Sequence, residues 1–202
     1  MYNDQKDQSS LISHYSNEYM QHPVAKSLHQ MIQTQYISRL WLERSLEARA
    51  SDLNNIRFAT LSDLETHVEH SHSSLLYAIL EVLGVNEEES EYAASHVGVA
   101  VGLTTLLRGT DYHLSHGDIY LPEDTLSKTD ISSSTLLRSR VKDLSTEQHY
   151  AFTEAVYDVA SQAHGHLERA RELFHTKKLN NKTIYALLPA ARAILYLEEL
   201  RQ

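Results

Sequence analysis

The sequence predicts an all-α protein built as a single helical bundle, and three observations carry that reading. Apolar residues recur three and four apart through most of the chain, and no stretch alternates in the manner of a strand. Only three prolines and six glycines occur in 202 residues, so few positions oppose a helix interior. The apolar share, 42%, is that of a folded protein, and the length suits one domain with a sizeable core.

Residues 1–21 are polar, with Ser9, Ser10, Ser13 and Ser16, and are expected to form a flexible lead-in to a domain over residues 22–202. Pro23 suits the first turn of a helix whose stripe is Val24, Leu28, Met31 and Ile32. A second helix starts near Ser38 and carries Leu40, Trp41 and Leu46. Thr60 followed by Asp63 has the spacing of a helix-starting cap, and Leu61, Leu64, Val68, Leu75, Ile79 and Leu83 continue one helix to Gly84.

The segment from Glu88 to Arg108 is apolar nearly all round, which predicts a buried central helix. Gly98 and Gly102 in it permit close approach by a neighbour. Residues 109–134 are expected to be loop-like around Pro122, with a short helix near Leu136 after them. Ser145 with Gln148 opens a long helix marked by Phe152, Val156, Val159, Ala163, Leu167, Ala170 and Phe174. A last helix uses Ile184, Leu187, Leu188, Ala191, Leu195 and Leu197, kinked at Pro189.

Composition excludes several functions. A net charge of −9 gives no long-range attraction for nucleic acid. The absence of cysteine removes disulfides, thiolate metal sites and thiol nucleophiles. No apolar run reaches the roughly 20 residues of a membrane span, so membrane association is expected to be peripheral. Residues 1–19 hold Asp4, Asp7 and Glu18 and no arginine, and so have the pattern of neither a signal peptide nor a basic transit peptide.

Two islands carry the chemistry. The first is Asp52-Leu53, Arg57-Phe58-Ala59-Thr60 and Asp63-Leu64. The second is Leu107-Arg108-Gly109-Thr110-Asp111-Tyr112-His113, followed by Gly117-Asp118-Ile119-Tyr120-Leu121-Pro122-Glu123-Asp124-Thr125-Leu126. In this order they resemble the squalene/phytoene synthase family, whose second signature reads Leu-Arg-Asp-x-x-x-Asp and then Gly-x-x-Tyr-Leu-Pro-x-Asp-x-Leu. The resemblance implies the isoprenoid synthase helical bundle. In such synthases carboxylate-held Mg²⁺ neutralises a departing diphosphate, and aspartates four apart on a helix share one face to do so. Here those two positions hold Gly109 and His113. The family's first aspartate-rich motif has no counterpart, since Asp4 and Asp7 have the wrong spacing, and the chain reads as lacking the first helices of the bundle.

The resemblance therefore implies a pseudoenzyme with no catalytic residue, no metal and no cofactor. Asp52, Arg57, Arg108, Tyr112, His113 and Tyr120 would remain as a remnant ligand pocket, with lipid or isoprenoid as the residual ligand. For Arg108 the plainer role is a helix C-terminal charge set against the macrodipole. For Tyr120-Leu121-Pro122 the plainer role is fixing the loop to the bundle.

Ser73-Ser74-Leu75-Leu76-Tyr77, Ala93-Ala94-Ser95-His96-Val97-Gly98 and Asp158-Val159-Ala160-Ser161-Gln162-Ala163-His164 narrow the resemblance further. They are similar to the branch of the family that supports assembly of mitochondrial respiratory complex I. That branch implies a matrix-side protein, peripheral to the inner membrane, whose partners are complex I subunits or other assembly factors. The alternative is a divergent Mg²⁺-dependent prenyl diphosphate synthase using another carboxylate set, with Asp52, Asp63 and Asp111 as first candidates. Glu69-x-x-His72 has the spacing of a di-iron ligand pair, but no second pair accompanies it. His164 and His166, two apart on a helix, cannot both face one site.

Overall fold

A computed structural model describes residues 22–34, 37–53, 57–139, 141–176 and 179–201, and every regular element among them is helical. The expected lead-in over residues 1–21 lies outside the described residues. Two compact units divide between Ile37 and Ser38. In the first, α1 (Pro23–Thr34) starts on its proline, where a missing N–H costs nothing, and ends with the Thr34 hydroxyl donating to the Gln30 carbonyl.

The second unit is organised around α5 (Glu88–Arg108). Its Ala93, Ala94, Val97, Ala100 and Leu103 are fully buried, as expected of a helix that is apolar on most of its circumference. Along one side of it runs α9 (Thr146–Thr176), whose Ala155, Val159, Ala163, Leu167 and Ala170 face inward at the expected spacing. Ser145 and Gln148 open that helix reciprocally, each side chain bonding the other's backbone N–H.

On another side of α5 lies a run that the sequence predicts as one helix. It is helical from Leu61 to Val82, but it divides into α3 (Leu61–Val68), a π turn (Glu69–Ser73) and α4 (Ser74–Val82). The Thr60 and Asp63 capping box forms in full. The π turn is the correction to that reading, and its cause is contact with α5. A side chain at Gly98 would place its Cβ 2.3–2.7 Å from Ser73, and one at Gly102 would place it 2.5 Å from Val68 Cβ. The two backbones thus meet more closely than any Cβ allows. Ser71, Ser73 and Ser74 are fully buried there, and the Ser73 hydroxyl donates to the Ser95 carbonyl at 3.0 Å.

Helix α2 (Arg39–Ser51) docks on this run through Glu81, whose carboxylate accepts from Ser38 N–H and from Trp41 Nε1 at 2.6 and 2.9 Å. The stretch expected as loop instead holds α6 (Thr110–Ser115) and α7 (Glu123–Lys128), followed by the expected short helix as α8 (Ser133–Arg138). Six-residue helices are too short to show periodicity, and Pro122 acts as the N-cap of α7 rather than as a loop centre. The single last helix expected to kink at Pro189 is instead two, α10 (Asn181–Ala186) and α11 (Ala190–Leu200), with a turn over residues 187–189 between them because proline cannot continue the hydrogen-bond ladder.

The glycine contacts make a sharp contrast. Gly98→Ala is expected to lower stability by about 1–3 kcal/mol, since backbone atoms of Ser73 must move. Gly165→Ala, in the middle of α9 with no atom near the added methyl, is expected to raise stability by up to about 1 kcal/mol. Urea unfolding of the two variants reads both signs.

Candidate functional site

The two sequence islands meet in space through their backbones. Glu123 and Asp124 N–H donate to the carbonyls of Phe58 and Ala59 at 2.9 and 3.1 Å, and the Asp124 carboxylate accepts from Leu61 N–H at 3.4 Å. These bonds fasten the Leu121–Asp124 turn to the start of α3, and Leu121 is buried behind them. Tyr120 is held at the junction, its ring 4.6 Å from that of His113 and 6.1 Å from that of Phe58.

Across from Tyr120, His67 on α3 packs its ring 5.1 Å from Phe58 and brings Nε2 to 3.1 Å from Asp52 Oδ1. Arg49, one helical turn before Asp52, reaches its other oxygen at 3.5 Å. Asp52 Oδ1 is buried and, beyond that ion-pair contact, has no hydrogen bond. One carboxylate, one arginine, two imidazoles and a phenol therefore share the site.

Burial sets their protonation. Desolvation lowers the pKa of His67 against the pull of Asp52, and lowers that of His113 against Asp118 and Asp52. Burial, with Asp52 and Asp118 adding to it, raises the Tyr120 phenol to about 12. Deeper in the same region, burial takes His72 down to about 4, helped by Arg49 and His67. At neutral pH the imidazoles and the phenol are uncharged around the Asp52 carboxylate, which Arg49 faces, and the Asp118 carboxylate is near enough to act on His113 and Tyr120. Such a site can offer hydrogen bonds and an aromatic wall.

Gly109 and His113 are physically coupled. A Cβ at Gly109 would lie 2.7 Å from His113 Nε2 and 2.9 Å from Cδ2. The imidazole thus fills the place where a side chain at residue 109 would begin. Inward of Tyr120, Leu64, Leu103, Leu107 and Val159 leave a gap of about 10 Å³, room for a single water at most.

Of the residues that the sequence singles out, Asp52, His113 and Tyr120 are brought together. Tyr112 stands exposed at the rim, its ring 5.6 Å from that of His113 and 4.3 Å from that of His116. Arg57 begins the pinned loop and is exposed. Arg108 lies elsewhere, in a groove between α5 and α11 lined by Thr104, Thr105, Pro189, Arg192 and Tyr196. Sequence reasoning passed over Arg49 and gave His67 and Phe58 no role beside Asp52. The spacing of Arg49 and Asp52, three apart on a helix, was a usable signal. The approach of His67 is tertiary and had none.

The Glu69-x-x-His72 pair does not converge. Glu69 accepts from the Tyr77 hydroxyl at 3.0 Å and faces Arg44, while His72 Nδ1 is 2.9 Å from Ser71 Oγ. Among the described residues no group of three histidine or carboxylate side chains is placed to hold a metal. A separate polar chain joins α3, α9 and α5. Glu65 accepts from Gln162 at 2.6 Å and stands 2.8 Å from His166 Nε2, and His166 Nδ1 lies 2.9 Å from His96 Nδ1. His166 is thereby turned inward, and His164 faces solvent.

Two measurements follow from this geometry. Burial lowers both His72 and His96 to about 4 in the folded protein, so the unfolded chain takes up protons first as the pH falls below 6.5. Stability is expected to hold above pH 6.5 and to decline toward pH 4, with a shallower decline in His96→Gln; a denaturation midpoint that does not move with pH would contradict it. Separately, Gly109→Asp is expected to turn the His113 ring away at a cost of up to about 1 kcal/mol, and Gly109→Asp with His113→Ala is expected to cost less than the sum of the two single changes.

Known proteins share both the sequence and the fold. The family model described as squalene/phytoene synthase matches residues 5–202. A rat protein named "NADH dehydrogenase (ubiquinone) complex I, assembly factor 6" is 39% identical over 155 residues, which are 77% of this chain and 44% of the relative. The bovine protein of the same name is 34% identical over 188 residues, 93% of this chain and 54% of the relative. The chain spans about half the length of these curated relatives. In structure it is similar to squalene synthase HpnC from Alicyclobacillus acidocaldarius, with a TM-score of 0.75 and 18% identity over 89% of this chain and 65% of that one. The bundle is therefore the one that the sequence resemblance implied, and the chain belongs to the squalene/phytoene synthase family.

Proposed function

We propose that this chain is a non-catalytic member of its family that supports assembly of mitochondrial respiratory complex I. The observation that carries the reading is its 34–39% identity, over three quarters or more of its length, to mammalian proteins named as complex I assembly factor 6. The coupling of Gly109 to His113 supports the non-catalytic part. The imidazole of His113 rests where a side chain at residue 109 would begin.

In this reading residues 22–202 act as one family domain behind a polar lead-in. The protein works in mitochondria, on the matrix side of the inner membrane, and binds complex I subunits or other assembly factors. Among the described residues no helix is long and apolar enough to cross a membrane, which fits peripheral attachment. Asp52, His113 and Tyr120 form the remnant of the ligand pocket, with Tyr112 and Arg57 at its edge and Arg108 outside the cluster. A lipid or isoprenoid bound there would meet aromatic and neutral polar groups around the Asp52 carboxylate.

The test has two arms. Expression in cells lacking their own complex I assembly factor 6 is expected to restore assembled complex I on native gels. Purified protein supplied with Mg²⁺ and prenyl diphosphates is expected to release no pyrophosphate. Failure of a folded, mitochondrially targeted chain to restore the complex would remove the assembly role. Turnover abolished by Asp52→Asn would replace this reading with a divergent prenyl diphosphate synthase.

A further inference from the structure

The polar chain that joins α3, α9 and α5 ends in two imidazoles that meet nitrogen to nitrogen. Gln162 Nε2 and His166 Nε2 both reach Glu65 Oε1, at 2.6 and 2.8 Å. A carboxylate only accepts, so His166 carries a hydrogen on Nε2 and, when neutral, leaves its lone pair on Nδ1. That lone pair is directed at His96 Nδ1, 2.9 Å away, with the two rings inclined at 53°.

A single hydrogen therefore lies between two nitrogens of the same kind, and it belongs to His96. When His96 moves that hydrogen from Nδ1 to Nε2, both Nδ1 lone pairs point into one gap, with no proton gained or lost. For the protein alone that arrangement is repulsive; for a metal ion it is a pair of ligands. Zn–N bonds of about 2.0–2.1 Å at a tetrahedral angle set two nitrogens roughly 3.3 Å apart, so the gap has to widen by only about 0.4 Å.

The surroundings are those of a metal-bound histidine. Such a ligand donates its other ring N–H to a carboxylate, which fixes the tautomer and makes the ligating nitrogen more basic. Glu65 does this for His166, and Gln162 holds Glu65 in turn. The His166 side chain is 12% exposed, and the two imidazoles stand on α5 and α9, the longest of the described helices. Tyr92, one turn before His96, packs edge-on against its ring at 5.0 Å. Arg169, one turn beyond His166, is near enough to act on His96, and the Glu65 carboxylate opposes it in charge. Among the described residues no third histidine or carboxylate converges on the gap, so water or an outside donor completes the coordination.

We propose that His96 and His166 bind a divalent transition-metal ion, zinc or copper, through their Nδ1 atoms, with Glu65 as the carboxylate behind His166. The site is built at the joints of α3, α5 and α9 and does not depend on what covers the outer surface. It shares no residue with the Asp52, His67 and Tyr120 cluster, and it stands apart from the assembly role.

Calorimetric titration of the metal-free full chain with Zn²⁺, and electron paramagnetic resonance with Cu²⁺, test this. Saturable binding of one ion per chain is expected, with coupling of the copper electron to two nitrogens. His96→Gln and His166→Gln are each expected to weaken binding by about tenfold or more and to remove the two-nitrogen signal, and Glu65→Gln to weaken it by about tenfold. His164→Gln, at a solvent-facing position on the same helix, is expected to change nothing. Zn²⁺ is also expected to raise the unfolding temperature of the unaltered chain and of His164→Gln, but not of the other variants. Circular dichroism confirms that each variant keeps its helices, and if a histidine variant does not fold, Glu65→Gln and the copper spectrum of the unaltered chain decide. A folded chain that binds neither ion would overturn the proposal. So would binding indifferent to the changes at His96, His166 and Glu65, or a copper spectrum without the two nitrogens.

Discussion

The arrangement of the bundle depends on the near contact of two backbones, that of α5 at Gly98 and Gly102 and that of the π turn at Glu69–Ser73. Without side chains on α5 at these points, the neighbouring run comes in close enough for Ser73 to bond the Ser95 carbonyl and for Val68 to lie over Gly102. The π turn answers the same constraint from the other side. Its extra residue lets the chain place three buried serines against α5 where larger side chains would hold the helices apart. A run of Glu-His-Ser-His-Ser-Ser has little hydrophobic drive of its own. Packing density and the bond from the Ser73 hydroxyl to the Ser95 carbonyl take its place, while the buried Ser74 hydroxyl has no hydrogen bond.

That contact also determines where the site residues go. With α3 drawn against α5, His67 is presented toward Asp52 and Phe58, while the pinned loop brings in Tyr120 and α6 brings in His113. The result is a cluster in which burial keeps the imidazoles neutral and the phenol protonated, with Asp52 engaged by Arg49 and Asp118 nearby. The chemical character of the place is that of a hydrogen-bonding, aromatic-lined surface.

On another side of α5, α11 contributes only part of its apolar surface to the core. Ala193 is small and buried, so the helix lies close, while Leu195 and, in the turn before the helix, Leu188 are exposed. An internal helix would show apolar residues on most of its circumference, as α5 does. Within α11 a small buried face at Ala193 stands beside exposed Ala191 and Leu195.

By itself the sequence determined the helical class, the buried character of α5, the inward face of α9, the caps at Thr60 and Ser145 and a departure from straight helix at Pro189. All of these are written locally, in spacing and capping chemistry, over segments long enough for the helical period to be read. The family likeness was also legible, because its two islands are contiguous strings. Only the tertiary structure decided the rest. The π turn exists because α5 presses against it, and no local propensity announces it. The short helices α6 and α7 lie below the length at which periodicity can be seen. The cluster around Tyr120 joins residues from Arg49 to Tyr120 whose nearness comes from packing, and Arg108 leaves the group because its position on α5 turns it toward α11. Which leucines of the last helix are core and which are surface was likewise settled by packing, since spacing names a stripe but not the neighbour that covers it.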